Sequence, residues 1–125
     1  MDITPVIPEN KKIITSYGGG MFKVGEEKFT NNIIVFPSYV IDWGNATYED
    51  LTINSFNQVI SDSKSEILLI GCGNSHKKIK PEIIRFLMAN NISAEIMTTG
   101  AACRTYNVLL AEGRDVAAAL ILAHL

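Results

Sequence analysis

The chain has 125 residues, 47% of them apolar and 19% charged, with a formal charge of −2 at pH 7. That length carries a core without metal or disulfide support, and the mild acidity leaves no basic stripe of the kind nucleic-acid binders carry. No apolar run approaches the roughly 20 residues that cross a bilayer, and the start resembles neither a signal peptide nor an Arg-rich presequence. A cytoplasmic setting is expected.

Residues 1 to 11 hold Pro5 and Pro8 and little periodicity, which reads as a loose or edge-pairing arm before an α/β domain over 12 to 125. From Lys12 to Gly44 the texture is β. Ile13 to Tyr17 is one strand, and Gly18-Gly19-Gly20 supplies a turn with positive φ. Met21 to Val24 and Lys28 to Thr30 flank Gly25-Glu26 as a hairpin. Ile33 to Phe36 is a strand stopped by Pro37, and Tyr39 to Trp43 alternates, with Tyr39, Ile41 and Trp43 on one face. Short connections predict that these strands pair antiparallel as a meander. Tyr39 and Trp43 read as core or rim of that sheet.

Thr47 to Asp50 is a turn, and Ile53, Phe56, Val59 and Ile60 follow helical spacing behind an N-cap at Thr52 or Asp50. Ile67 to Ile70 is apolar at every position, so this strand is placed in the sheet interior, covered on both faces. Pro81 opens a second helix with an apolar stripe at Ile83, Ile84, Leu87 and Met88, closed by Asn90-Asn91. Residues 92 to 97 form the next strand, and a third helix runs from Thr98 or Thr99 to Glu112. Val116 to Leu122 has three alanines that favour helix, but a length and position that favour a strand; local propensity leaves this open.

Strand, helix, strand, helix in this order is the wiring of a parallel sheet. Ligands of open α/β sheets usually sit beyond the carboxyl ends of the parallel strands. Gly71-Cys72-Gly73-Asn74-Ser75-His76 lies there, but without a third glycine or a Gly-Lys-Ser/Thr ending it reads as a tight turn and not a nucleotide loop. Thr98, Thr99 and the small residues after them open a helix whose N–H groups and dipole favour an anion, with Arg104 as a fork. The competing reading pairs Arg104 with an internal acid or carbonyl. Cys103 near that helix start, His76 on the adjacent loop and Asp42 or Asn74 allow a Cys–His nucleophilic site to be drawn; packing is the plainer role for a cysteine. Lys77-Lys78-Ile79-Lys80 reads as a solvated loop, and His124 as an exposed residue. Two cysteines, Cys72 and Cys103, make neither a disulfide scaffold nor a zinc site. No metal or cofactor is expected.

The run Ile92 to Leu109, with Thr98-x-x-x-Ala102-Cys103-Arg104-Thr105-Tyr106-Asn107 as its most specific part, resembles a small α/β family. That family includes the mitochondrial complex I assembly factor three and the adipogenesis-associated domain protein. Ile14 to Phe22, the segment around Trp43 and Ile67 to Gly73 match in order, and Cys72 departs from a more usual Gly-Thr-Gly turn. The resemblance implies a three-layer α/β domain whose last segment is a strand, no established catalysis to carry over, and action by binding complex I subunits or other assembly proteins. Gly71, Gly73, Thr98, Cys103, Arg104 and Asn107 are its motif positions nearest the crevice. The expected function is a non-enzymatic protein-binding module. The alternative is a small-anion or small-molecule binder, conceivably a weak enzyme, using Gly71, Gly73, Thr98, Thr99, Arg104 and Asn107 at the strand ends.

Overall fold

The computed structural model describes residue 1, residues 10–62 and residues 64–122. The expectations for most of the N-terminal arm and for His124 fall outside the described residues. Among the described residues, eight strands form two sheets. Strands β1 (Ile14–Gly18), β2 (Met21–Val24) and β3 (Glu27–Phe29) make an antiparallel sheet in that order. The Gly18, Gly19 and Gly20 run turns between β1 and β2 with φ of 109°, 63° and 75°, a region that side chains disfavour.

Strands β4 (Ile33–Val35), β5 (Val40–Asp42), β6 (Ile67–Gly71), β7 (Ser93–Met97) and β8 (Val116–Leu120) make the second sheet, ordered β5-β4-β8-β6-β7. Strand β6 runs parallel to β7 and β8, and β4 runs antiparallel to β5 and β8. The N-terminal part is therefore antiparallel and the C-terminal part parallel, as expected, but the expected meander is divided between two sheets. Ile33, Ile34 and Val35 are all 0% exposed. A strand apolar on both faces needs cover on both, which β3, with Glu27 and Lys28 exposed, cannot share. So β4 leaves its sequence neighbour and pairs with β8.

The last segment is a strand. Every residue of β8 is buried, and its backbone is paired along both edges by β4 and β6. Two ladders override the helical preference of three alanines. Ala117 and Ala119 face one core while Ala118 faces the other.

Alternation along each strand separates these cores. On one face Leu68, Ile70, Ile34 and Phe36 meet α1 (Asn57–Ser61) and α2 (Pro81–Ala89), with Val59, Ile83 and Leu87 as the helix contributions. On the other, Leu69, Ile33 and Val35 meet α3 (Thr99–Ala111) through Ala102, Cys103, Tyr106 and Leu110, and the small sheet through Ile14, Phe22 and Val24. Two refinements are local. The helix expected from Ile53 begins as a 3-10 turn over Ile53–Phe56, whose N-cap Thr52 donates its N–H to Ser55 Oγ at 2.9 Å. Helix α2 ends with Asn91 at φ 62°, the left-handed stop expected of that asparagine pair.

Candidate functional site

Three parallel strands end together. Beyond β6, Ile121 N–H donates to the Gly71 carbonyl (3.0 Å) and Cys72 N–H to the Met97 carbonyl (2.9 Å), extending both ladders past the strands. Thr99 locks this edge. Its N–H donates to the Gly73 carbonyl at 2.9 Å, and its hydroxyl accepts from Gly73 N–H at 2.9 Å while donating to the Ile121 carbonyl at 2.7 Å. Gly71 makes room for it: a Cβ there would lie 2.9 Å from Thr99 Cα. Thr98 is the N-cap of α3, yet its side chain makes no cap bond. Thr99 and Gly71 thus join helix to sheet, and the Thr99 hydroxyl is used in both directions.

The rest of the motif holds the small sheet. Asn107 is 3% exposed and grips one residue of β1 from both sides. Its Oδ1 accepts from Ile14 N–H (3.0 Å), and its Nδ2 donates to the Ile14 carbonyl (2.7 Å). The grip falls beside the shift in β1–β2 register between Ile14 and Ser16, on a strand at the edge of its sheet, and it satisfies both backbone groups of a buried residue. Tyr106 Oη donates to the Lys12 carbonyl at 2.9 Å. The exposed Arg104 lies over the Tyr17 ring, 5.9 Å from its centroid, and its guanidinium donates to the Tyr17 hydroxyl. Among the described residues its hydrogen-bond partner is thus a phenol, not an acid or a carbonyl. The Tyr17 ring also covers Gly100, where a Cβ would come within 3.0 Å of it. At the start of α3 the Tyr17 ring thus lies against Gly100, beside the place where the anion reading puts its ligand.

The cysteines part company. Cys103 is 0% exposed in the core between α3 and the sheet; Cys72 is 0% exposed in the core on the opposite face. Burial pushes the Cys103 thiol up to about 12, with Arg104 only partly opposing it. The helix start was expected to lower it; desolvation is the larger effect. His76 is exposed, and no hydrogen bond joins it to Cys103. Asp42 is exposed as well, its carboxyl held below the ordinary range by Gly44 N–H and then by Asn31. The Cys–His constellation that the sequence allowed to be drawn is not assembled, and Cys103 packs in a core. Trp43 packs edge-on against Phe56 (5.5 Å) and donates its Nε1 to the Ser55 carbonyl. Among the described residues, no group of three or more His, Cys, Asp or Glu side chains could hold a metal, and no helix is long and apolar enough to cross a membrane.

A cleft does open at the strand ends. About 400 Å³ of space lies beside Gly73, between the Asn74-Ser75 turn and the segments at Asn31 and Thr47–Glu49. Of the site residues expected from sequence, only Gly73 lines it; Gly71, Thr98, Thr99, Arg104 and Asn107 do not. Asn32 fastens its floor, its amide donating to the Ala46 carbonyl (2.9 Å) and its Oδ1 accepting from Leu122 N–H (2.7 Å). Tyr48, Glu49 and Lys77 were not expected there. Tyr48 comes from a 3-10 turn (Tyr48–Asp50) and is 6% exposed, and its hydroxyl is the one buried side-chain polar atom among the described residues without a hydrogen-bond partner. Burial, then Cys72 and Glu49, push its pKa up to about 12. Lys77 Nζ meets Glu49 Oε2 at 3.1 Å across the cleft mouth. The signal for Tyr48 was one aromatic ring in an otherwise polar turn, too weak to place it beside a loop some 25 residues later.

These features bear on known proteins as follows. NADH dehydrogenase (ubiquinone) 1 alpha subcomplex assembly factor 3 of Bos taurus is 31% identical over 109 residues, covering 86% of this chain and 59% of that protein. The chain therefore spans less than two thirds of the length of the assembly factors it matches. A crystal structure from Bordetella parapertussis superposes with a TM-score of 0.84 at 35% identity, covering 92% of this chain and 99% of that one. A solution structure from Bordetella pertussis, described as a Mth938-like domain, gives 0.82 at 28% identity, with 97% and 92% covered. A family model described as "Protein of unknown function (DUF498/DUF598)" matches residues 14–121, and the chain belongs to that family.

Proposed function

We propose that this chain is a protein-binding module that serves the assembly of respiratory complex I. The observation that carries the reading is the name borne by relatives matched over 86% of the chain. The geometry supports it from the other side. Thr99, Asn107 and Arg104, the residues a small-anion site at α3 would need, are bonded to Gly73, Ile121, Ile14 and Tyr17 of this chain. Cys103, the one candidate nucleophile, is sealed in a core. What remains accessible is loop surface and the cleft at the strand ends, and loops on a rigid scaffold are where recognition of another protein is carried.

Removal of the gene, followed by the level and activity of complex I in the native membrane, tests the proposal. Complex I that falls, and is restored by the wild-type chain, upholds it. Unchanged complex I, with no complex I subunit or assembly protein recovered on a tagged chain, overturns it.

A further inference from the structure

A second cleft of about 340 Å³ lies against the first. Lys78, Ile79, Lys80 and Leu51 line it, and Tyr48, Glu49 and Lys77 are common to both. The two clefts thus meet at the Lys77–Glu49 ion pair and Tyr48. The pair is exposed on both sides, 41% and 64%, and pairs of this kind are held weakly. The Tyr48 hydroxyl, buried where the clefts meet, has no hydrogen-bond partner, and a buried polar group left unpaired costs free energy unless something else uses it.

Charge narrows the occupant. His76 to Lys80 form an extended loop that carries three lysines and no acid. Among the described residues the Lys77–Glu49 pair is the only salt bridge. Lys80 Nζ donates to the Leu51 carbonyl (2.9 Å), so neither it nor Lys78 is matched by a carboxylate. Glu49, Asp50 and Glu82 are the acids of the neighbouring turn and helix. We propose that the two clefts are one groove for an acidic, extended segment of a partner protein: a carboxylate of the segment takes Lys77 from Glu49, receives a hydrogen bond from the Tyr48 hydroxyl, and lies along Lys78. Two clefts that meet at one ion pair offer more length than a compact molecule needs, which suits a chain. This proposal rests on the protein-binding reading above and names the chemistry of its partner.

The test is fluorescence polarisation of a labelled peptide of alternating glutamate and glycine, titrated with the full chain at low salt. Tyr48→Phe should weaken binding about tenfold, since it removes one hydrogen bond to a charged group, while leaving thermal stability equal or higher. Lys77→Gln should weaken binding and Glu49→Gln should strengthen it; Lys28→Gln, on the small sheet, should do neither. Binding indifferent to Tyr48→Phe, or weakened as much by Lys28→Gln as by Lys77→Gln, overturns the groove, because only overall charge is then being read. No binding of the peptide, with succinate or inorganic phosphate protecting the chain against heat through Lys77, also overturns it in favour of a free small anion. If complex I proteins co-purify equally with wild type and Tyr48→Phe, the assembly role stands and the groove falls.

Discussion

Asn107 is the sharpest place to test the claim that the motif builds the fold. Replacing it with alanine removes both partners of the Ile14 backbone, at 3.0 and 2.7 Å, from a site that is 3% exposed. Each buried backbone group left unpaired costs about 1–3 kcal/mol, so Asn107→Ala should lose about 2–6 kcal/mol, a large part of the 5–15 typical of a domain. Urea denaturation measures the loss, and hydrogen exchange at the Ile14 amide locates it. Asn107→Asp sharpens the argument through pH. Its carboxylate can still accept from Ile14 N–H but points its other oxygen at a carbonyl; the protonated acid can donate there. The folded state therefore favours the protonated form and raises that carboxyl's pKa. The variant should be most stable below the unfolded carboxyl pKa of about 4 and lose stability as pH rises through the folded value. Asn107→Ala within about 0.5 kcal/mol of wild type, with Ile14 exchange unchanged, would refute the reasoning.

Three further outcomes are expected. Thr99→Val keeps the shape but leaves Gly73 N–H and the Ile121 carbonyl unpaired, and should cost about 2–5 kcal/mol by denaturation, whereas Thr99→Ser should cost far less. Gly71→Ala drives a Cβ to 2.9 Å from Thr99 Cα and 3.1 Å from Leu120, so overpacking should lower stability by about 1–3 kcal/mol; an unchanged melting temperature would show that helix and sheet can part at this point. Cys103 should resist thiol reagents in the native chain at neutral pH and react only on unfolding. Burial pushes its pKa up to about 12 from an ordinary 9.0, so it stabilises the fold while neutral. That contribution is complete below about pH 9 and is lost at about 1.4 kcal/mol per pH unit above it. Stability between pH 9 and 11 in wild type and Cys103→Ala reads this difference directly.

Of the site residues expected around Gly71 to Asn107, Thr99, Arg104 and Asn107 make hydrogen bonds within the chain. A threonine at a helix start, an arginine in its first turns and an asparagine one turn on are the residue types that hold an anion, and equally those that hold backbone. Composition cannot separate the two uses. Here Arg104 meets Tyr17, a residue far away in sequence, and Asn107 meets Ile14. Nothing local to either partner announces the pairing. Cys103 shows the same ambiguity from the energetic side: proximity to the helix start and burial pull its pKa in opposite directions, and only the packing around it decides which is larger.

The sequence by itself determined the elements. Four apolar residues in a row at Ile67–Ile70, Pro81 at a helix start, Asn90-Asn91 at its end and three glycines at a turn each act through local sterics and solvation, so they can be read without neighbours. Tertiary structure decided which strand lies beside which, that Ala117–Ala119 run between two ladders, that Cys72 and Cys103 sit in opposite cores, and that Tyr48 meets Lys77 and Glu49 at one cleft. Those outcomes depend on burial and on hydrogen-bond partners supplied from distant parts of the chain, and a residue's own neighbours in sequence carry little information about either.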